Sequence, residues 1–444
     1  MSLLPRIDCE GFHRRDFLKI GAGAGLLGLS LPELLRLEAH SAATTRMAKR
    51  AHAVIMIWLA GGPATIDMWD LKPNAPEGIR GEFKAIETKV KGMQVSEHMP
   101  KLADVANRVT LVRSLQHTIP AHGPATVFMT TGNKPTPAIQ YPSLGSLASK
   151  IIPAEKGVPA YVSFSDIRGG TAGQAGHLGA AHNPFLVEGN GAGGKGGAKL
   201  RVRGLQLPSE FGLDELENRE KFLKGIDSSF RKFDGSADVA DGLDAFHKQA
   251  LDILRSDKTK KAFDLDSEAP AMRDSYGKNN FGLSALAARR LVEAGVRFVT
   301  ISLGGWDTHG KNFESLAKKL LPQLDVALAA LLGDLDERGM LDRTLVYCAG
   351  EFGRTPKINK NAGRDHWARS MAVLLAGGGI KRGHVYGSTD AQGMGPATDA
   401  CTPDDVASTL FHCLGIDPHQ ELTSPTGRPI QLFREGSVID RILT

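Results

Sequence analysis

Histidines and carboxylates recur in this 444-residue chain just after apolar runs. Asp67 and Asp70 follow the first run, and Ser114, His117 and His122 the second. Trp306-Asp307-Thr308-His309 follows a third, Glu351-Phe352-Gly353-Arg354-Thr355 a fourth, and Gly363-Arg364-Asp365-His366-Trp367 precedes a fifth. Asp, Glu and His gathered at one place form a nitrogen and oxygen metal site. Imidazole with carboxylate suits zinc, manganese or iron, and carboxylate alone suits calcium or magnesium. A single Asp after a strand is also an ordinary helix cap or turn residue, because it accepts hydrogen bonds from unpaired backbone N–H groups. Recurrence at several strand ends is what points to a site.

The elements that must position these residues read as strands alternating with helices, the pattern of an α/β sandwich on a largely parallel sheet. His52 to Ala60 is a buried strand stopped by Gly61-Gly62-Pro63, and Val109 to Val112, Arg297 to Leu303, Thr344 to Ala349 and Met371 to Ala376 continue the series. Leu283 to Ala294 and Phe313 to Arg338 carry helical periodicity. Residues from about 155 to 280 break the rhythm and are expected as an insertion: a glycine-rich part, Gly169 to Gly204, then charged helices from Glu210 to Lys261. The tract Gly189 to Gly197 follows no strand-to-helix phosphate-loop pattern and reads as a surface loop. In an open α/β sheet, ligands sit beyond the carboxyl ends of the strands, where the polar residues above fall.

Arg14 and Arg15 precede Asp16, Phe17, Leu18 and Lys19 and a glycine-diluted apolar run from Ile20 to Leu31, with small residues at Ala39 to Ala43. That is the layout of a twin-arginine (Tat) leader over residues 1–43. Its apolar run is shorter than the roughly twenty residues a spanning helix needs, so no stable membrane anchor is expected. The expected location is the periplasm or another extracytoplasmic space, with the Tat translocase as the partner during export. The formal charge of +5 carries no block of like charges, which argues against nucleic acid. Of the four cysteines Cys9 lies in the leader, and Cys348, Cys401 and Cys413 form no close pair of metal type.

In order along residues 50 to 415, the segments GGPATIDMWD, VRSLQH with AHGPATVFMTTGNKP, GVRFVTISLGGWDTHGKNF, LDRTLVYCAGEFGRTP, GRDHW and GGGIKRGHVYGSTD resemble the alkaline phosphatase and sulfatase superfamily. More closely, they resemble its Tat-exported, sulfatase-like branch of environmental bacteria. The resemblance implies a three-layer, alkaline phosphatase-like sandwich over residues 50–444. It places Asp67 at the first metal-binding Asp of that superfamily and His366 at the last metal-binding His. His122-Gly-Pro124-Ala-Thr126, running to Thr131-Gly132, resembles the sulfatase helix Cys-x-Pro-Ser-Arg with its Thr-Gly end. His122 thus takes the nucleophile's place, as a metal ligand or as a histidine nucleophile. Thr126, one turn on, is a candidate substitute nucleophile or a helix residue facing the core, with Ser114 a further candidate.

The pattern is altered elsewhere. Asp307 and His309 stand one residue apart where the superfamily has Asp-x-x-x-His, and Glu351 and Phe352 replace Asp and His. The implied ligands of one or two divalent ions are Asp67, His122, Asp307, His309, Glu351, Asp365 and His366, with Arg354, Arg364 or Arg113 facing an anion. The implied activity is metal-dependent hydrolysis of phosphate or sulfate esters, on an anionic small molecule or a polysaccharide. The alternative is a binding or assembly protein that retained the fold. Trp306 and Trp367 are expected as an apolar wall, a sugar-stacking surface or space-filling core. His177 and His182 are expected at the surface, and His384 in a turn.

Overall fold

The computed structural model describes residues 49–164, 173–189, 200–201, 256–424 and 427–444. The leader at 1–43, the glycine tract from 190 to 197 and the charged stretch 210–255 lie outside the described residues. Arg50–Thr444 is one compact unit.

Eight strands form the central sheet: β1 (Ala53–Ala60), β2 (Val109–Leu115), β3 (Tyr161–Ser163), β4 (Phe185–Leu186), β5 (Phe298–Gly304), β6 (Thr344–Ala349), β7 (Met371–Ala376) and β8 (His384–Tyr386). They lie in the order β8-β2-β7-β6-β1-β5-β3-β4. Every neighbouring pair is parallel except those made by β7, which runs against both β6 and β2. β1 lies at the centre, pairing Val54 with Leu345 on one side and with Phe298 on the other. Its apolar run is continuous because both faces are covered, as parallel sheets require. Ile55, Ile57 and Leu59 enter one core, and Val54, Met56 and Trp58 enter the other.

The first core is closed by α1 (Pro100–Val105), α4 (Asn280–Glu293) and α5 (Leu321–Glu337), through Leu102, Leu286, Leu324 and Leu328. The second is closed by α2 (His122–Thr131), α3 (Leu144–Ile151) and α6 (Pro403–Cys413), through Met129, Leu147 and Leu410. The fold is therefore the expected three-layer α/β sandwich on a mostly parallel sheet. α2 ends at Gly132, whose φ of 67° lets its N–H reach the Phe128 carbonyl at 2.9 Å.

Several local expectations change. The helix expected over Phe313 to Arg338 is divided, with a π turn at Leu316–Leu320 before α5. Pro322 in the first turn of α5 has no N–H to donate back along the helix, so a regular α-helical ladder cannot pass through it. β3, β4 and β8 are too short to announce themselves by periodicity; β3 and β4 lie inside the span read as an insertion and extend the sheet. His384, expected in a turn, begins the edge strand β8 and pairs with Thr110. Gly189, read as loop, pairs with Leu200 across the tract.

Candidate metal centre

β1, β5 and β6 are parallel neighbours, so the segments leaving their carboxyl ends emerge side by side. β1 turns at Gly61, φ 119°, where a Cβ would collide with the backbone of Trp306 and Asp307 leaving β5. Only glycine permits that approach. Antiparallel β7 begins at the same edge, and a two-residue ladder pairs Gly353 with Trp367 and Arg354 with His366 in front of it. The amino end of α2 brings His122 to the group. The ligand atoms of His122, Asp307 and His366 lie within 4.8 Å of one another.

Asp307 is the hub. Its Oδ1 lies 3.1 Å from His309 Nε2 and 3.2 Å from His366 Nε2, and its Oδ2 lies 3.5 Å from His122 Nε2. The opposite nitrogen of each ring has its own acceptor. His122 Nδ1 donates to Glu351 Oε1 at 2.6 Å, His309 Nδ1 to Asp365 Oδ1 at 2.8 Å, and His366 Nδ1 to the Pro120 carbonyl at 2.8 Å. With the Nδ1 proton of each ring directed at its acceptor, a neutral imidazole presents its Nε2 lone pair, the tautomer that metal-bound histidines adopt. His309 Nε2 and His366 Nε2 stand 2.9 Å apart. Two lone pairs at that separation repel unless a cation or a proton lies with them.

The surroundings keep this set in place. Glu351 is buried and accepts the Gly61 N–H at 3.0 Å, while its own carbonyl accepts His117 Nε2 at 2.8 Å. Burial holds His117 below the ordinary imidazole range, with its Nδ1 accepting the Ile119 N–H. Asn359 Nδ2 reaches both the His309 carbonyl at 3.0 Å and Asp365 Oδ1 at 3.1 Å. Phe352, fully buried, lies under His122 and His366 with ring centroids 4.9 Å and 4.4 Å away. Partial burial pushes Asp307 up, but Arg354, His366 and His122 outweigh it and hold the carboxyl at about 2. The hydrogen bond from His309 likewise lowers Asp365, and burial lowers His366. Outward, Asp307 and His309 remain 48% and 46% exposed at their side chains, so the set faces solvent.

Other expected residues lie elsewhere. Asp67 is buried in a bidentate pair with Arg364, at 2.7 Å and 2.8 Å, and also accepts from Asn312. Arg364 completes its bonds on the carbonyls of Ile79, Thr355 and Pro356. Arg354 donates to the carbonyls of Gly61, Gly62, Trp306 and Arg364 and to Asp307. Both guanidiniums are enclosed and face no anion from outside. Arg113 lies beside Asp70, donating to the Gln94 carbonyl. Ser114 Oγ donates to the Asp399 carbonyl inside β2, and Thr126 is buried in α2. Trp306 is core, whereas Trp367 is partly exposed at the rim. His177 and His182, expected at the surface, are half-buried and meet the Gln140 carbonyl and Ser149.

Sequence reasoning missed Pro120, Asn359 and Gly61, because each acts through a backbone group or an amide that no ligand pattern marks. Asn359, six residues before Asp365 and between two lysines, carries no signal in its spacing.

Residues 51–443 match the family described as "Protein of unknown function (DUF1501)", and the chain belongs to that family. No curated protein matches the chain. Among solved structures it is similar to a putative sulfatase from Bacteroides thetaiotaomicron, with 11% identity, a TM-score of 0.38 and coverage of 89% of this chain and 74% of that one. It is similar to alkaline phosphatase from the Antarctic bacterium TAB5, with 14% identity, a TM-score of 0.36 and coverage of 82% and 99%. A third is the PsFucS1 sulfatase from Pseudoalteromonas sp., with 12% identity, a TM-score of 0.35 and coverage of 87% and 72%.

Proposed function

We propose that this protein is an exported, metal-dependent hydrolase of phosphate or sulfate esters, with polysaccharide esters among its substrates. One observation carries the metal reading: three imidazole Nε2 atoms converge on Asp307 while each Nδ1 is engaged by an acceptor. The donor set fits a borderline divalent cation such as zinc, manganese or iron. His122, Asp307, His309 and His366 would hold it, with Glu351 and Asp365 orienting the imidazoles. Bound there, such an ion supplies a Lewis acid for an ester oxygen and lowers the pKa of water.

The chain's own groups support hydrolysis in other ways. Asp307 and His309 face solvent, the side from which a substrate would approach. Arg354 holds Asp307 ionised and fixes the strand-end carbonyls around it, so the carboxylate needs no rearrangement to act. Glu351 fixes the His122 ring so that Nε2 is the basic atom. With Thr126 and Ser114 enclosed, attack by water replaces attack by a side-chain hydroxyl.

The second reading, a binding or assembly protein without turnover, is favoured by the enclosure of Arg354 and Arg364, which removes both from direct contact with a transferred oxyanion. Export through the Tat leader and the role of the span 155–280 in shaping access belong to the same proposal. Among the described residues no helix is long and apolar enough to cross a membrane.

The deciding experiment is metal content by plasma mass spectrometry on the folded, metal-supplemented protein, compared with an Asp307→Ala, His366→Ala variant. Stoichiometric metal lost in the variant, followed by turnover of a phosphate or sulfate ester, supports the hydrolase. Metal without turnover selects the binding protein, and a metal-free wild type overturns the metal site itself.

A further inference from the structure

With Arg354 and Arg364 enclosed, the question is which cations remain for an anionic ligand. Four stand exposed in the segments that carry the candidate ligands. Lys311 lies two residues after His309, Lys357 and Lys360 lie in the loop that leads to Asp365 and His366, and Arg369 lies three residues after His366. The two lysine-bearing loops are tied together, Lys311 N–H to the Asn361 carbonyl at 3.0 Å and Asn359 to the His309 carbonyl at 3.0 Å. Among the described residues none of the four makes a close ion pair, Lys311 acting on Glu314 only from a longer range, whereas Lys318 nearby pairs with Glu314 and Lys72 with Asp70. Unpaired exposed cations on segments a few residues from one site concentrate positive potential there, which draws anions.

Arg369 differs from the lysines in its setting. Its guanidinium lies 5.9 Å from the centre of the Trp367 indole, within stacking range. The indole is in turn held by a hydrogen bond from Nε1 to the Met394 carbonyl at 2.8 Å. A guanidinium over an oriented ring can turn its N–H edge toward a planar or tetrahedral oxyanion. The ring edge and the partly exposed Met394 offer apolar surface for a sugar face.

We infer that Arg369 and Trp367, with Lys311, Lys357 and Lys360, form a recognition rim for an anionic saccharide. The inference deepens the proposed function and rests on it for the direction in which the saccharide approaches the histidine cluster. Arg369 is a specificity-determining residue that positions the charged group of the substrate. A groove for single-stranded nucleic acid would repeat stacking platforms along its length. This rim presents one indole, which favours a saccharide.

The test is equilibrium binding of a heparin tetrasaccharide, its desulfated counterpart and a single-stranded DNA oligonucleotide of matched charge to the mature protein at low salt. Wild type is expected to bind the sulfated sugar and to bind the other two more weakly. Arg369→Ala is expected to weaken binding about tenfold or more, the size of a lost charge-assisted hydrogen bond, with metal content unchanged. Arg369→Lys, which keeps the charge but loses the stacked plane, is expected between the two. The Lys357→Ala, Lys360→Ala double variant is expected to weaken binding and flatten its salt dependence.

Binding unchanged in Arg369→Ala, or DNA bound as tightly as the sugar, overturns the rim. The Asp307→Ala, His366→Ala variant separates this inference from the function proposed above. Retained sugar binding without metal there supports a rim independent of the metal centre. A metal-free wild type that still binds sugar overturns the hydrolase and leaves the rim standing.

Discussion

Arg354 Nη2 lies 2.5 Å from Asp307 Oδ1, a pair with one partner wholly enclosed and the other half exposed. The guanidinium also joins the ends of β1 and β5 through carbonyls of Gly61, Gly62 and Trp306, so it supports the site and the fold together. Arg354→Met leaves the carbonyls of Gly61, Gly62 and Trp306 without their donor, while Asp307 keeps its access to solvent, and is expected to cost about 1–3 kcal/mol of stability. Denaturant unfolding checks the loss, and metal content of the surviving folded fraction is expected to fall with it.

Glu351 bonds the His122 ring, and Asn359 holds the His309 carbonyl and Asp365 behind the His309 ring, without either belonging to the converging atoms. Glu351→Gln and Asn359→Ala are each expected to lower metal affinity about 10–100-fold, the usual effect of disturbing the groups behind metal-bound histidines. Competition with a chelator of known affinity measures this. Unchanged affinity in both would show that neither the Glu351 bond to His122 nor the Asn359 bonds to Asp365 and the His309 carbonyl set the ligand geometry.

Asp67 provides the contrast. Asp67→Ala leaves Arg364 buried without its carboxylate and is expected to destabilise the protein by about 3–5 kcal/mol. Metal content per folded chain is nevertheless expected to equal that of wild type, because Asp67 is saturated by Arg364 and Asn312. A folded Asp67→Ala protein that binds less metal would make Asp67 a ligand after all.

Glu268 reports on acid stability away from the site. Burial pushes its carboxyl up, but hydrogen bonds and charge from Arg289 and Arg290 prevail and hold it below the ordinary 4.5. A carboxyl depressed in the folded state contributes stability that is present above its unfolded pKa and lost as pH falls through the folded one. Thermal midpoints are expected to hold near neutral pH and to fall below about pH 4.5. Glu268→Gln is expected to be less stable at pH 7, by about 1.5–3 kcal/mol, and less sensitive to acid. Parallel melting curves from pH 7 to pH 3 for the two proteins would show that the pair contributes nothing.

The layer architecture was legible because it rests on local pattern. A run such as Ala53–Ala60 is apolar at every position only if both faces are covered, and that property is written in the residues themselves. The rule that ligands gather beyond strand ends brought His122, Asp307, His309, Glu351, Asp365 and His366 into view without knowledge of their contacts, together with Asp67, Asp70, Ser114 and His117, which turn to other partners. Short strands such as β3 and β8 were not legible, because three residues carry no period and their pairing depends on neighbours far along the chain.

What the amino-acid sequence determined by itself was thus the sandwich, its central strands and the stock of imidazoles and carboxylates at one sheet edge. Tertiary structure alone decided the division of labour within that stock. Asp67 and Asp307 look alike in sequence, each an Asp after a parallel strand, yet one is closed off by Arg364 and the other presents its second oxygen to His122. Arg354 and Arg364 likewise turn inward, while Arg369 stays outside. The physical reason is that charge compensation acts through space over a few ångströms, between groups brought together from positions as far apart as 67 and 364, and no local pattern records which partner arrives.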